Sequence, residues 1–508
     1  MSNNVSAVWD NAYNYSMWVE LYNTNTTTSY NQSAFYFTDD LTQPKKWNPA
    51  SKLVSPNGFS VLWFERDERS EHANFKLNTE GGKLYLLNSS AVVIDSVVYP
   101  KQYRNISYGR ITNGSNSWVY FEQFSAGSSN NGKSWSFQRC EAPVFNVAGG
   151  FYVSTQNVTF ATPAVGDTIY YTRNGSEPTR ANALRYTPGS SITINSTTAI
   201  RAKTFRKNKL SSDIATATYF INERNFSLPV VSIVTEQANL TDNTMGIYTT
   251  GTNGLVGNGS NTPVNWNQDW DRPANFELFD KTKTSRLNQE LDISITGGWS
   301  RGNNQKSLKI SPRNKFGDNQ LRYDIFAASK PNHKYKDIQL RNSGNDFFYS
   351  MMRDGYMQTL VMNRMNIDCI AYQPAVCFMN GTYYGIQNLR ERSSKDYIYS
   401  NYGLEEDDIV LLETWKIPYD ANYTPLSNYI SSNDIKQTAV YNKVAEMMDI
   451  DNFMSYMISQ IFFANTDWPH NNVKIWKKKD GGKWRWILYD TDFGYNLYGT
   501  NYNHNSLS

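Results

Sequence analysis

The chain has 508 residues, and at roughly 150 residues per domain this length predicts about three domains. It carries 49 basic and 46 acidic residues, and a formal net charge of only +3 argues against binding nucleic acid through bulk charge. Aromatic residues make up 15% of the chain, which is typical of a globular protein and excludes a disordered one.

Cysteine and histidine are both scarce. The chain contains Cys140, Cys369, Cys377, His72, His333, His470 and His504. Three cysteines exclude a disulfide scaffold and a cysteine-based zinc site, and no two histidines lie at a metal-ligand spacing. No long apolar window predicts a membrane span, and the first residues lack the basic and apolar parts of a signal peptide. The protein is therefore expected to be cytoplasmic, or secreted with its signal already removed.

Residues 1–138 contain short β-rich runs separated by turn residues. Runs 18–22 and 59–64 predict strands, and runs 83–87 and 92–98 flank an Asn-Ser-Ser turn that predicts a β-hairpin. The regular spacing of these runs favours a β-sandwich.

Residues 142–222 predict a second, smaller β unit. Run 168–172 leads into Arg173-Asn174-Gly175-Ser176, and its Asn-Gly pair is a strong hairpin signal. Further strands are predicted at 192–194 and 199–203.

From residue 223 to 508 the pattern becomes α+β. A helix is predicted over 347–365, with Asn345 or Asp346 as its N-cap. A second helix is predicted over 451–464, because apolar residues recur there on one helical face. These residues are Met454, Met457, Ile458, Ile461 and Phe462.

Two β runs lie between these helices and another follows them. Runs 374–378 and 383–389 are joined at Asn380-Gly381, which predicts a hairpin. The run 484–489 predicts a strand that ends at Asp490.

One nucleotide-binding motif occurs without the required context. Gly127-Ser-Ser-Asn-Asn-Gly132-Lys133-Ser134 has the letters of a P-loop, which needs a strand before it and a helix after it. The following residues, including Pro143, give no helix, so we interpret this stretch as a flexible loop.

Polar residues gather after the second helix and after the last strand. Asp467 and Asn472 lie five residues apart, and Asp490 and Asp492 follow the next hairpin. A helix, a loop and a hairpin would bring three or four oxygen ligands together. Oxygen ligands without Cys or His suit Mg²⁺ or Mn²⁺.

Phosphoryl transfer requires groups of this kind. Protein kinases use Asp-x-x-x-x-Asn followed by Asp-Phe-Gly. Asp467 and Asn472 reproduce the first spacing without the preceding His-Arg, and Asp492-Phe493-Gly494 matches the triplet. We favour Asp490 as metal ligand because it directly follows the strand, with Asp492 as second ligand. The alternative interpretation is structural, with these side chains capping turns.

Candidate cations for a phosphate lie in a strand, glycine-rich loop and strand at 291–310. Lys306 and Lys309 are three residues apart and would point to opposite faces of a strand. We select Lys306 because it is nearer the loop, with Arg301 as a further phosphate contact. Asp354 is the candidate carboxylate that pairs with the lysine. Ordinary solvated charges explain each of these residues equally well.

The third region resembles the CotH kinase family, an atypical protein-kinase-like group first associated with spore coats. The matching stretches are 228–233, 246–248, 272–277, 300–307, 340–346, 353–354, 380–392, 467–472 and 490–492. The resemblance implies ATP, a divalent metal and transfer to Ser or Thr of a protein. It implies Asp467 as catalytic acid residue, Asn472 and Asp490 as metal ligands, and Lys306 as phosphate lysine. The family usually continues with more helical sequence, so a C-terminal truncation is expected. The glycines at 257–259 and Gly297-Gly298 also form poor phosphate loops by kinase standards.

The first two regions resemble accessory modules. Residues 18–23, 73–77, 81–82, 95–96 and 107–110 are similar to a lamin-tail domain, which is an immunoglobulin-like sandwich. Residues 170–179 and 200–202 are similar to the small sandwich at the C-terminus of chitobiases. Both resemblances imply an extracellular bacterial protein and a role in adhesion or positioning, with exposed Trp and Tyr able to stack on sugar rings.

The sequence thus predicts two immunoglobulin-like β-sandwich modules followed by an α+β kinase-like domain. The expected protein is secreted or attached to the cell surface, acts on a protein substrate and binds no nucleic acid, and a surface glycan is a further candidate partner. Two alternatives stay open. In the first, the kinase-like fold is a non-catalytic scaffold; in the second, which ranks lower, Asp467 and Asp490 are the paired carboxylates of a glycoside hydrolase.

Overall fold

The first region is built from small antiparallel sheets. A computed structural model describes residues 1–65, 72–257 and 259–499 of the chain. The strands of the first region are Trp18–Tyr22 (β1), Tyr30–Asn31 (β2), Tyr36–Thr38 (β3), Leu53–Val54 (β4), Phe59–Trp63 (β5), Gly81–Leu87 (β6), Val93–Pro100 (β7), Ser107–Arg110 (β8) and Trp118–Phe121 (β9). β1 pairs with β5, and β6 and β7 form the predicted hairpin beside β3. Apolar residues of both sheets, including Leu62 and Leu84, form the core.

The second region has two facing sheets. Its strands are Gly150–Tyr152 (β10), Gln156–Val158 (β11), Thr168–Thr172 (β12), Leu184–Arg185 (β13), Ile192–Ile194 (β14), Thr198–Phe205 (β15) and Ala215–Ile221 (β16). Five of them form one sheet in the order β10-β16-β15-β12-β13, and β11 pairs with β14. Ile194 and Ile200 come from opposite sheets and meet in one core, so this unit is a β-sandwich.

The tight hairpin predicted at Asn174-Gly175 is wrong. β12 pairs with β13 only after a connection that spans residues 173–183. Gly175, with φ +81°, packs against another part of the chain: a Cβ there would lie 2.4 Å from Asn380 Oδ1 and from the Thr235 carbonyl. A glycine at this position therefore lets the sandwich pack closely against the third region.

The third region begins with a closed seven-stranded barrel. The elements up to the hairpin are Val230–Val234 (β17), Gln237–Thr241 (α1), Leu255–Gly257 (β18), Ser260–Val264 (β19), Arg272–Phe279 (β20), Ser285–Thr296 (β21), Ser307–Ser311 (β22), Leu321–Arg322 (β23), Lys334–Tyr335 (β24), Ile338–Arg341 (β25), Arg353–Val361 (α2), Asp368–Cys369 (β26), Tyr372–Met379 (β27) and Thr382–Arg390 (β28). The barrel order is β17-β20-β21-β22-β25-β28-β27. It closes through parallel pairing of β17 with β27, for example Val230 with Val376.

Alternation along the barrel strands separates a core face from an outer face. Leu308 and Leu340 are opposite each other on β22 and β25 and lie in the barrel core. Lys309 on β22 and Arg341 on β25 point to the other side, because neighbouring strand residues alternate between faces. The outer face of these strands is therefore polar.

The last part of the chain adds a helical layer and a four-stranded sheet. Its elements are Lys395–Tyr402 (α3), Ile409–Glu413 (β29), Thr424–Ser432 (α4), Thr438–Met447 (α5), Ile450–Phe462 (α6), Lys474–Lys478 (β30) and Arg485–Leu488 (β31). The sheet order is β26-β31-β30-β29. The predicted hairpins at Asn380-Gly381 and before Asp490 are confirmed. Across the described ranges, no helix has the length and apolar character to cross a bilayer.

Both predicted helices differ from expectation. The helix predicted over 347–365 is reduced to α2, because Met351 adopts φ +58° and the Asp346 carboxylate accepts the amide N–H groups of Met352 and Arg353 at 3.1 and 3.0 Å. Asp346 therefore caps the helix from six residues away. The helix predicted over 451–464 is confirmed as α6, but several residues of its predicted apolar face, such as Met454 and Phe462, are exposed.

A buried cluster of charged side chains joins the three regions. Arg104 of the first region bonds Glu177 Oε2 of the sandwich and Glu290 Oε2 of β21, both at 3.0 Å. Arg201 bonds Glu290 Oε1, and Lys203 bonds Glu177 Oε1, both at 3.1 Å. Burial alone would raise the pKa of Glu177, but the charges of Arg104 and Lys203 lower it overall. The cluster thus holds the regions together as charged partners.

A second contact between the sandwich and the barrel is uncharged. Glu277 on β20 is buried and accepts the Thr218 backbone N–H from β16 at 3.2 Å. Thr218 Oγ1 contacts the same carboxyl group and lies 2.8 Å from Ser232 Oγ. Burial raises the pKa of Glu277 to about 7, so this carboxyl group keeps its proton in mildly acidic solution.

Glu277 should make the protein less stable as the pH rises. The unfolded carboxyl group loses its proton near its ordinary pKa of about 4.3, whereas the folded one keeps it up to about pH 7. The free energy of unfolding should therefore fall by roughly 3 to 4 kcal/mol across this window and level off above it. We expect Glu277→Gln to remove this part of the slope, measured as urea midpoints against pH. Glu80→Gln at an exposed site is the control, and parallel curves for all three proteins would contradict the expectation.

Candidate active site

Asp467 and Asn472 are brought together in the loop after α6. Asn472 Nδ2 donates to Asp467 Oδ2 at 2.8 Å, and Asn471 Nδ2 donates to the same oxygen at 3.1 Å. Asn472 adopts φ +56°, in the left-handed region that asparagine tolerates best among residues with a side chain. Asp467 and Asn472, which were predicted as a pair from their spacing, therefore form a hydrogen bond, and Asn472 Oδ1 has no donor among the described residues.

Asp490 lies next to this pair. It follows β31 with φ +51°, and its negative charge contributes, after burial, to a raised pKa of Asp467. The Asp467 and Asp490 carboxyl groups therefore lie close enough for their charges to interact. Asn472 and Asp490 both have left-handed backbone, which costs free energy and is common at functional sites.

Arg341 connects the barrel to the two aspartates. Its Nη2 contacts Asp490 Oδ1 and lies 3.0 Å from Asp492 Oδ2. Arg341 ends β25 on the polar outer face of the barrel. The guanidinium therefore holds the aspartates against the barrel. Arg341 lies in the stretch 340–346 that carries the family resemblance, but no role was predicted for it.

Asp492 is fully buried and only partly satisfied. Its Oδ2 accepts the Asn345 backbone N–H at 2.9 Å, but Oδ1 is buried with no hydrogen-bond partner in the part of the chain that the structure describes. Burial and the neighbouring Asp490 charge raise the pKa of Asp492 to about 7. An unpaired carboxylate oxygen in the interior is costly, and a bound cation is one way to satisfy it.

Asp354 has a different partner from the one predicted. Its carboxylate pairs with Arg390, not with Lys306, and accepts both the backbone N–H and the Oγ1 hydroxyl of Thr491 at 2.9 Å. Burial would raise the pKa of Asp354, but Arg390 and Arg341 lower it overall. Asp354 therefore fixes the residue between Asp490 and Asp492, so its place in the structure is that of a positioning residue.

Lys306 and Arg301 are both bound within the glycine-rich loop. Lys306 precedes β22, and its Nζ donates to the carbonyls of Arg301 and Asn303 at 2.6 and 3.1 Å and lies 3.9 Å from the centre of the Trp266 ring. Arg301 donates to the carbonyls of Gly297 and Trp266. Burial lowers the pKa of Lys306 to about 8. Both cations stabilise the loop, and the structure does not place either against the aspartates.

Lys309 lies on the outer face of β22. It is opposite Gln339 on β25, and Gln339 shares a face with Arg341 because the two are two residues apart on that strand. Lys309 forms no ion pair or hydrogen bond with the described residues, and burial lowers its pKa. Lys306 was selected from the sequence; the alternation of Leu308 and Ile310 into the core is a signal that would have pointed to Lys309 instead.

Lys474 lies two residues after Asn472, and its Nζ donates to Ser393 Oγ at 3.0 Å. The charge of Asp490 is among those that act on the pKa of Lys474, which burial lowers.

The side-chain oxygen atoms of the aspartates and of Asn472 are of the kind that a hard divalent cation prefers. Across residues 1–65, 72–257 and 259–499, no three His, Cys, Asp or Glu side chains are arranged to hold a metal. Mg²⁺, however, is usually bound through one or two carboxylates together with substrate phosphates and water. Asp490, Asp492 and the Asn472 amide are the residues that would hold such a cation, and the Asp492 Oδ1, which has no partner in the described residues, is an oxygen that it would satisfy.

Gly344 lets the backbone come very close to the side chains of Asp492 and Arg341. It has φ +59°, and a Cβ there would lie 2.3 Å from Asp492 Oδ2 and 2.7 Å from Arg341 Nη2. Both the backbone conformation and the missing side chain are therefore required for the Arg341–Asp492 contact.

We expect Gly344→Ala to destabilise the protein by roughly 1 to 3 kcal/mol, because strain and a clash add together. Gly403→Ala is a matched control: Gly403 has φ +70° with no atom within 4 Å of the added Cβ, so that variant has the strain alone. Urea unfolding of both variants measures the difference. Equal losses of stability would show that the contact with Asp492 is not tight.

The stretch that matches the P-loop pattern, residues 127–134, lacks, among the described residues, the helix that a nucleotide-binding loop requires. The next described element along the chain is the strand β10, and the Gly127 N–H donates to Glu20 of β1. The interpretation as a loop is confirmed.

Comparison with known protein families finds two matches, one in the third region and one in the second. Residues 293–506 match the family described as CotH kinase protein. Residues 147–216 match the Chitobiase/beta-hexosaminidase C-terminal domain family. No curated protein matches the chain. Two of the three resemblances are thereby confirmed, and the lamin-tail resemblance of the first region stays a prediction.

The aspartates of this site and the Asn472 amide, which we call the acid cluster, all lie within the CotH match at 293–506. The members of the acid cluster are Asp354, Asp467, Asn472, Asp490 and Asp492. The match begins within β21, whereas the barrel also includes β17 and β20. The family thus supports a kinase-type activity in general, and the barrel that carries Arg341 and Lys309 extends beyond the matched residues.

Proposed function

We propose that the protein transfers the γ-phosphate of ATP to a Ser or Thr hydroxyl of a protein, with Mg²⁺ or Mn²⁺, at the secreted or cell-surface location that its accessory modules suggest. The observation that carries this proposal is the meeting of the Asp467–Asn472 pair with Asp490 and Asp492 in one acid cluster. The CotH match over these residues supports it.

Asp467 is proposed to orient the acceptor hydroxyl. Its carboxylate is half-buried, held by two asparagine amides, and has a raised pKa because of burial and of Asp490. A carboxylate with these features holds a hydroxyl proton in place as the oxygen approaches the phosphorus.

Asp490 and Asn472 are proposed to hold the divalent cation, with Asp492 as a further ligand. When bound, the cation would neutralise charge on the β- and γ-phosphates. Arg341 already contacts both aspartates, so it keeps the two carboxylates close together before the cation and the nucleotide bind. Asp354 supports this arrangement through Thr491.

The cation for the phosphates is proposed to be Lys309 or Lys306. Lys306 was selected from the sequence, but its ammonium group already has two carbonyl partners. Lys309 lies on the same outer barrel face as Arg341 and has no ion-pair partner among the described residues. We therefore assign Lys309 the phosphate contact and Lys306, with Arg301, the support of the glycine-rich loop.

A transfer assay tests the proposal directly. The purified chain is incubated with γ-labelled ATP and a generic acceptor such as casein, with Mg²⁺, with Mn²⁺ or with a chelator. Metal-dependent labelling of Ser or Thr supports phosphotransfer. Absence of labelling with both metals, for a chain that binds the nucleotide, would contradict it.

A non-catalytic scaffold is the second candidate. The specific observation that favours it is the neutralisation of Asp490 and Asp492 by Arg341, which leaves these carboxylates less available to a metal. Calorimetry with ATP, with and without Mg²⁺, distinguishes the two candidates. Heat that requires the metal supports the kinase, and no heat in either case supports the scaffold.

A further inference from the structure

A cavity of about 270 Å³ lies in the first region. It is lined by parts of β1, β6, β7, β8 and β9 and by the loop after β9, and none of its lining residues belongs to the barrel or the acid cluster. β1 pairs with β5 alone among the described strands, and all five residues of β1 contribute to the lining. The cavity is therefore separate from the proposed kinase site.

A hydrogen-bond donor in the lining has no partner. Trp18 is only 5% exposed, and its Nε1–H is buried without an acceptor in the described ranges. An unmet buried donor costs about 1 to 3 kcal/mol, so native structures rarely keep one without a ligand or an ordered water.

The same lining presents acceptors. Glu20 stands two residues along β1 from Trp18, on the same face, and its carboxylate accepts the Gly127 N–H. Gln102 is 3% exposed and donates its amide to the Pro100 carbonyl at 2.9 Å, so its Oε1 remains as an acceptor. The Tyr108 hydroxyl bonds no described residue and is able to donate and accept.

Apolar and aromatic surfaces form the rest of the wall. Tyr22 packs on Phe59 at a ring distance of 4.9 Å, and Tyr108 stacks on Trp118 at 5.8 Å. Leu84 and Leu86 of β6 complete this side. Aromatic faces next to polar groups are the usual surroundings of a ligand with both apolar and hydroxylated sides.

The charges and the hydrogen-bonding groups of the cavity lining indicate which kind of ligand it would bind. An anion would be repelled by Glu20, and Arg110 is not free to bind it, because its Nη2 donates to Asp95 Oδ1 and Oδ2 at 2.7 and 2.9 Å. A cation accepts no hydrogen bond and would leave the Trp18 N–H unsatisfied. A neutral ligand whose hydroxyl groups both donate and accept would satisfy Trp18, Glu20 and Gln102 together. We propose that this cavity binds a neutral monosaccharide unit of a glycan. The proposal is independent of phosphotransfer, since it uses other residues in another region.

The test uses the full chain and methyl glycosides of glucose, galactose, mannose and N-acetylglucosamine. Saturation-transfer NMR detects binding, and a ¹⁵N-indole spectrum follows the Trp18 Nε1–H, which is assigned by its loss in Trp18→Phe. We expect at least one glycoside to shift that resonance. Trp18→Phe and the shape-conserving Glu20→Gln should each weaken its binding about tenfold.

Trp47→Phe is the matched control, because Trp47 is a buried tryptophan of the same region that does not line the cavity. Its affinity for the glycoside should equal that of the wild type. An indole resonance that no glycoside moves would overturn the proposal and leave ordered water as the partner. Preferential binding of an extended peptide along β1 would overturn it as well.

Discussion

Asp467→Asn is expected to lower the rate of phosphotransfer by about 10² to 10⁴, the range typical of a lost general base. The variant keeps the size of the side chain and its place beside Asn471 and Asn472, so the fold and the binding of nucleotide should persist. Asp490→Ala should abolish metal-dependent transfer, because it removes a carboxylate that we assign to the cation.

Asp480→Asn is the matched control for both variants. Asp480 is exposed in the turn between β30 and β31, on the hairpin that carries Asp490. Initial rates of labelling and nucleotide affinity are measured for all four proteins. A wild-type rate in Asp467→Asn, or metal-dependent labelling in Asp490→Ala, would be incompatible with the assigned roles.

Glu177→Ala is expected to destabilise the protein by about 3 to 5 kcal/mol, the usual cost of removing one partner from a buried ion pair. Without Glu177, the cations Arg104, Arg201 and Lys203 would share Glu290 as their remaining partner in the cluster. Because the cluster joins three regions, the loss should appear as a lower midpoint of thermal unfolding and as faster proteolysis between the regions.

Two further variants separate the charge effect from general damage. Glu141→Ala removes an exposed carboxylate of the chain and should leave the midpoint unchanged. Arg104→Met combined with Glu177→Gln removes a cation and an anion together and should recover part of the loss, as in a double-mutant cycle. A Glu177→Ala protein that unfolds like Glu141→Ala would show that the cluster does not hold the regions together.

Local sequence patterns predicted α6 and the hairpins at Asn380-Gly381 and before Asp490, because the residues that pair there are neighbours in sequence. Asn380-Gly381 places Met379 opposite Thr382, which a two-residue turn requires. The closure of the barrel could not be predicted in this way, since Val230 pairs with Val376 and no local signal links them. The buried face of α6 could not be predicted from apolar periodicity either, because its fully buried residues are Asn452, Tyr456, Ser459 and Gln460, and most of them are polar.

The acid cluster was predicted in part. The spacing of Asp467 and Asn472 and the Asp-x-Asp after the last strand identified the residues that carry the proposed chemistry. Their partner Arg341 was missed, because a single arginine at the end of a strand has no distinctive pattern. The choice of Lys306 depended on distance along the chain, whereas alternation about Leu308 places Lys309 on the outer face.

The most direct test of the central claim is a crystal structure with Mn²⁺ and a non-hydrolysable ATP analogue. We predict an anomalous peak about 2.1 Å from an oxygen of Asp490, with Asn472 as a second ligand and the triphosphate directed toward Lys309. A nucleotide bound elsewhere, or carboxylates that stay bridged by Arg341 with no metal peak beside them, would contradict the assignment of a phosphotransfer site.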